Sequence, residues 1–236
     1  MRRRIALLAL GLSVWPGFAG AAVPKPQRIA SINLSADEVL AVILPPGRLV
    51  SVTRWADAPG TSNVVGRVPP EVHRFVKADL EQLVALRPDL VVVSEYTDAD
   101  FLSLLERSGL RFHRMEGLSS IAGVRAAILD LGRAVGEDEA ARRLVVRFDG
   151  VLADLNRRLL GVKRPRVLYW SSGMTAGADT AIGALIEAAG GANVGREMGV
   201  AGIAPRERSG RSWPIPTWFS WARGRRRRRR SPSTRS

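Results

Sequence analysis

The run Leu90-Val91-Val92-Val93 constrains this chain more than any other stretch. It follows a Pro-Asp turn at Pro88-Asp89 and contains no polar residue. A strand with one wet face alternates apolar with polar, whereas an unbroken apolar run has both faces covered. Such a strand belongs inside a parallel sheet with helices on either side. The neighbouring sequence agrees. Asp79 caps a helix through Leu80, Leu83 and Leu86 that Pro88 ends. Asp98 or Asp100 opens a second helix through Leu104, Gly109 closes it, and residues 111–115 read as the next strand. Upstream, residues 28–32 and 48–53 read as strands, with a loop over 54–60. Between the two strands runs a helix through Val39 and Leu40, with Ser35 as its N-cap and Asp37 and Glu38 in its first turn. Strands alternating with helices predict an α/β layered domain on a parallel sheet.

From residue 119 the period changes. Ile121, Val124, Ile128, Leu131 and Val135 recur at helical spacing, and so do Leu144, Phe148, Val151, Leu152, Leu155 and Leu159. Gly136 interrupts them, and Glu137-Asp138 suit a fresh start. This is one kinked helix or two in series, and in either form a long rod. A new strand is expected over 166–170, a loop over 171–179, and a helix over 180–189 that Gly190-Gly191 end. The predicted fold class is α/β, with two lobes of parallel-sheet sandwich joined by a long helix and the second lobe incomplete. The predicted organisation is a signal peptide (1–21), an N-terminal lobe (22–118), a long linking helix (119–160), a partial C-terminal lobe (161–205) and a basic, disordered tail (206–236).

The formal charge of +14 sits at the two ends. Residues 206–236 hold eleven Arg against one Glu, and Arg2-Arg3-Arg4 open the chain, so the body is close to neutral. That opening, the apolar run 5–12 and the small residues Ala19-Gly20-Ala21 read as a secretory signal cleaved near Ala21, with a retained membrane anchor as the alternative. With no Cys there is no disulfide and no lipid-bearing cysteine, so a freely diffusing, monomeric periplasmic protein is expected. The tail binds phosphate backbones or anionic lipid at most nonspecifically, because it has neither helical period nor base-reading motif.

The tail has a second explanation. Trp has one codon, TGG, so the codons around Trp213, Trp218 and Trp221 are nearly fixed. Read in a shifted frame, that DNA permits L/V-A-D-P-D-L-V-L-V, close to the in-frame Leu83-Val84-Ala85-Leu86-Arg87-Pro88-Asp89-Leu90-Val91-Val92-Val93. On this reading the second lobe continues out of frame, and sequencing the coding DNA across Ser209 tests it.

Several short motifs, taken in order, resemble a known family. They are Arg28-Ile29-Ala30-Ser31-Ile32-Asn33-Leu34-Ser35-Ala36-Asp37-Glu38, Leu49-Val50-Ser51-Val52-Thr53, Asp79-Leu80-Glu81-Gln82-Leu83 running into Arg87-Pro88-Asp89-Leu90, and Ala188-Ala189-Gly190-Gly191-Ala192-Asn193-Val194. With the long helix, they resemble the helical-backbone class of periplasmic substrate-binding proteins, which serve ABC importers of vitamin B12, iron-siderophore complexes and haem. The likeness covers residues 26–204 and departs after Pro205.

The resemblance implies a ligand held between two lobes by loops at the carboxyl ends of the strands, where open parallel sheets place ligands on general grounds. The candidates are Asn33, Leu34 and Ser35, then Arg54 and Trp55, then Glu95 and Tyr96, with Trp170, Ser171 and Ser172 from the second lobe. Trp55, Tyr96 and Trp170 offer broad apolar contact to a macrocycle or catecholate, Arg54 a partner for an anionic edge, and the helix start at Ser35 backbone N–H groups. Each aromatic also has a plainer reading, as cover for the sheet's rim. In this family a glutamate near the start of the corresponding helix in each lobe docks on arginines of the membrane permease. Glu81 matches the first-lobe position, and Glu207 is the remaining candidate for the second.

His73 and His113 lie far apart with no ligand spacing around them, so no metal is expected. No nucleophile elbow, phosphate loop or paired-carboxylate motif is present, and no cofactor is implied. The expectation is a non-enzymatic importer component for an iron chelate or corrinoid. Its rivals are an exported α/β enzyme and a cationic interaction protein acting through its tail. A nucleophile–base pair would distinguish the first, and truncation at Pro205 the second.

Overall fold

The computed structural model describes residues 24–205, which form two compact units meeting in sequence at Arg158 and Leu159. The signal segment, the basic tail and Glu207 lie outside the described residues.

The first unit is built on five parallel strands: β1 (Ile29–Ser31), β2 (Leu49–Thr53), β3 (His73–Phe75), β4 (Leu90–Ser94) and β5 (Phe112–Met115). Their order is β3-β2-β1-β4-β5, so the chain winds outward from β1 in one direction and then from β4 in the other. The short strand β3 has no counterpart in the sequence reading. The helices are α1 (Leu34–Ile43), α2 (Leu80–Leu86), α3 (Ala99–Ser108), α4 (Ile121–Val135) and α5 (Asp138–Arg158).

Every residue of β4 is buried, as its apolar run requires. Leu90 and Val92 join Ile29, Leu40, Ile43, Leu131 and Val135 in one core, and Val91 and Val93 join Phe75, Leu83 and Leu105 in the other. Successive side chains of one strand thus feed two layers, α1 with α4 and α5 on one face, α2 and α3 on the other. Each fully buried branched side chain contributes about 1.5–3 kcal/mol.

The caps follow local chemistry. Asp79 accepts from the Gln82 N–H, Asp98 from those of Asp100 and Phe101, and Gly109 ends α3 in the left-handed conformation. One cap differs from expectation. α1 is capped by Asn33, whose side chain accepts from the Ala36 N–H at 2.9 Å, while Ser35 lies exposed inside the first turn. β1 ends at Ser31, and the chain turns into the helix at Asn33, two residues before the expected cap.

The long rod is also corrected. Gly136 takes φ 69°, and the Gly136 and Glu137 N–H groups return to the carbonyls of Arg133 and Gly132 (3.1 and 2.7 Å), a Schellman closure that ends α4. α5 then folds back antiparallel along α4. Gly132 faces Ala141 so closely that a β-carbon on it would lie 2.3 Å from the Ala141 methyl. Both helices belong to the first unit, whose boundary falls after α5. Arg48, 6 % exposed, secures the turn by donating to the carbonyls of Pro26 and Val135 and to Glu137, which also pairs with Lys25 at 2.6 Å.

In the second unit, β6 is only Arg166–Val167, pairing in parallel with β8 (Ala192–Asn193). Residues 168–170 leave the ladder. The expected loop contains β7 (Met174–Ala176), which pairs antiparallel with β9 (Ile203–Pro205). Thr180 caps α6 (Ala181–Ala188), and a single turn, α7 (Val194–Glu197), follows Asn193.

Candidate functional site

Because the five strands of the first unit are parallel, their carboxyl ends share one edge. The predicted residues of that unit gather there on three loops. After β1, Asn33 does more than cap α1: its Nδ2 donates to the Val92 carbonyl at 3.4 Å, tying the α1 start to β4. β1 and β4 are the pair at which the winding reverses, the position where open sheets hold ligands.

After β2 the chain makes a single tight helical turn, Arg54–Asp57. The Arg54 guanidinium lies 4.5 Å from the centre of the Trp55 ring. Trp55 is 46 % exposed, so the pair presents a flat apolar surface beside a positive charge. Beyond the turn, Glu38 of α1 accepts from both the backbone N–H and the side-chain amide of Asn63 (2.7 and 3.1 Å), fixing the following loop.

After β4, Tyr96 is 71 % exposed. Its neighbour Glu95, read from sequence as a ligand contact, turns its carboxylate into the fold. Oε1 accepts from the Leu118 N–H at 2.8 Å and Oε2 from the Gly117 N–H at 3.1 Å. Glu95 thereby clamps the loop between β5 and α4.

Trp170, Ser171 and Ser172 lie in the second unit. Ser171 and Met174 exchange backbone hydrogen bonds (3.0 and 2.8 Å) around Ser172 and Gly173, both at positive φ, a tight hairpin turn. Trp170, immediately before it, is 38 % exposed. Glu81 is exposed in the first turn of α2.

The residue that sequence reasoning passed over is Asp37. Its side chain is wholly buried, and Oδ2 accepts from both the N–H and the hydroxyl of Thr53 (3.0 and 2.6 Å). The Ser31 hydroxyl donates to the Asn33 carbonyl, and Asp37 Oδ1 has no hydrogen-bond partner. Burial pushes the Asp37 carboxyl up to about 6, against the pull of the nearby Ser31 hydroxyl and of the Thr53 donors. A signal was available: Asp37 stands on the stripe of α1 that also carries Ala36, Leu40 and Ile43, an acid at a core position.

Among the described residues no three His, Cys, Asp or Glu side chains converge as a metal site. His73 meets Gln82 at 3.1 Å, and His113 lies 3.4 Å from Asp130. A recess of about 370 Å³ opens in the first unit among Arg28, Pro45, Pro46, Gly47 and Leu86, at the amino-terminal edge of the sheet. It carries none of the predicted ligand residues.

A family model described as periplasmic binding protein matches residues 29–210. Cobalamin-binding proteins from two strains of Halobacterium salinarum are 27 % identical over 189 residues, covering 77 % of this chain and 50 % of theirs. The chain thus spans about half the length of the curated relatives it matches. Among solved structures, a possible iron-binding periplasmic protein of Staphylococcus epidermidis aligns at a TM-score of 0.65 and 20 % identity, covering 78 % of this chain and 72 % of that one. The periplasmic vitamin B12-binding protein of Vibrio cholerae aligns at 0.60 and 19 %, covering 77 % and 70 %. These likenesses establish the α/β fold.

Proposed function

The chain belongs to the periplasmic binding protein family, and on that premise we propose that it is the substrate-binding component of an ABC importer, capturing an iron chelate or a corrinoid. The observation that carries this reading is the Arg54–Trp55 pair on the carboxyl edge of the parallel sheet. A stacked guanidinium and indole suit a flat, delocalised ligand with an anionic margin. Asn33, Leu34 and Ser35 on one side and Tyr96 on the other extend that rim, with Trp170, Ser171 and Ser172 as the second unit's candidates. Glu95 contributes by holding the rim in shape.

The protein acts by binding and delivery, not by catalysis. Glu81, exposed at the start of α2, is the docking carboxylate for arginines of the membrane permease, where a fixed charge speeds and orients encounter. Among the described residues no helix is long and apolar enough to cross a membrane. The protein works in the periplasm as a monomer.

Titration of the purified chain with aquocobalamin, haemin and a ferric catecholate, followed by tryptophan quenching and calorimetry, tests the reading. Saturable one-to-one binding of one of them is expected. Absence of saturable binding by all three overturns it.

A further inference from the structure

Resting on that reading, we propose that Asp37 is a positioning residue that locks the β1–α1 and β2 rim loops together, so that Asn33 and the Arg54–Trp55 pair move as one body.

β1 pairs with β2 at Ile29↔Leu49 and Ala30↔Ser51, with a register shift between them, and β1 ends at Ser31 as the chain turns into α1. Beyond Ser51, β2 keeps its pairing to β3, where Thr53 stands opposite Phe75, but has no registered partner in β1. The Thr53 N–H is buried there, and a buried donor without an acceptor costs about 1–3 kcal/mol. Asp37 supplies the acceptor. One carboxylate oxygen takes the place of a strand, receiving the Thr53 N–H at 3.0 Å and its hydroxyl at 2.6 Å.

Thr53 is also the residue that precedes the Arg54–Asp57 turn, and Asp37 follows the Asn33 cap in the first turn of α1. The carboxylate therefore joins two rim loops through their roots. Bonds to an ionised acceptor are roughly twice as strong as neutral ones, which suits a carboxylate to this work. The groups around it are Glu38 on its own helix, the Ser31 hydroxyl from β1 and the Thr53 hydroxyl from β2. Its second oxygen is buried without a partner, so protonation there leaves the Thr53 bonds in place while removing the charge that strengthens them.

The test compares the parent with Asp37→Ala, Asp37→Asn and Thr53→Val in the full chain, by amide hydrogen exchange resolved to short segments and by titration with aquocobalamin and haemin. Asp37→Ala is expected to speed exchange over residues 50–58 about tenfold or more, with residues 127–135 unchanged. Affinity for whichever probe the parent binds should fall at least about fivefold. Asp37→Asn, which keeps an acceptor oxygen, should restore most of the protection and, once intrinsic base-catalysed exchange is divided out, remove the pH dependence of the protection factors in this segment between pH 5 and 7. If Asp37→Ala does not fold, Thr53→Val decides: deleting one of the two donors should give an intermediate loss over the same residues. Parent-like exchange over 50–58 in Asp37→Ala, or in Thr53→Val, overturns the proposal. Where the parent binds neither probe, the exchange comparison alone judges Asp37, and the transport reading is judged by the three-ligand titration.

Discussion

Arg125 and Asp149 stand 24 residues apart in sequence, yet their side chains meet at 2.6 Å. On one straight helix they would be about 36 Å apart, so the contact requires the reversal at Gly136. The ion pair marks the hairpin without being its main support. Its partners are 37 % and 43 % exposed, where such pairs contribute about 0–1 kcal/mol. The support is apolar: Ile128, Leu131 and Val135 of α4 and Ala141 and Val145 of α5 pack in one cluster with α1.

Gly132→Ala should therefore cost more than Arg125→Ala. Helix propensity alone favours alanine by about 1 kcal/mol, so an open site would be stabilised. Here the added methyl meets the Ala141 methyl at 2.3 Å, and overpacking should destabilise by about 1–3 kcal/mol. Urea unfolding measures both variants. Adding Ala141→Gly to Gly132→Ala should recover most of the loss, because it removes the other half of the collision.

The contrast explains what the sequence makes legible. Strand β4, the Asp79 cap and the Gly109 stop are set by chemistry within a few residues and were readable, while Asp98 was one of two candidate starts for α3. Helical period is the same whether two helices run on in a rod or fold back, so residues 119–159 gave length without direction. The clue lay in small residues, Gly132 and Ala141, on either side of Gly136. Strand ends placed the loops of Asn33, Arg54 and Glu95 at the carboxyl edge of the sheet. They did not reveal which way Glu95 and Asp37 point, since each carboxylate answers a backbone donor brought near only by tertiary structure.

Glu95→Ala should loosen the loop between β5 and α4. The Gly117 and Leu118 N–H groups lose their acceptor, and exchange over residues 116–120 should accelerate, with a stability loss of about 1–3 kcal/mol in urea. Glu95→Gln keeps an acceptor oxygen for one of them and should fall between. Tyr96→Ala, at a residue 71 % exposed, should change stability by less than about 0.5 kcal/mol.

Substitutions at the stacked pair should separate binding from folding. Trp55→Ala removes a broad contact surface from an exposed position, so the melting temperature should hold while affinity for the ligand found by titration falls about tenfold or more. Trp55→Phe should retain much of the affinity. Arg54→Ala should weaken binding of an anionic chelate more than of a neutral corrinoid, and added salt should narrow that difference. Calorimetry across the three variants at two salt concentrations reads all of this.

Asp37 gives the fold a pH dependence of defined sign. Its carboxyl titrates near 6 when folded, against an ordinary value of 3.8, chiefly because burial penalises the charge. Between these values the folded protein holds a proton that the unfolded chain has released. The contribution to stability is thus complete below about pH 4 and is lost as pH rises through 6, a change of about 3 kcal/mol. Asp37→Asn carries no charge to desolvate and still offers Thr53 an acceptor. Urea unfolding from pH 4.5 to 7.5 should show the parent losing stability relative to Asp37→Asn as pH rises, with most of the divergence complete by pH 7. A constant difference between the two across that range would mean that the buried carboxyl does not titrate there.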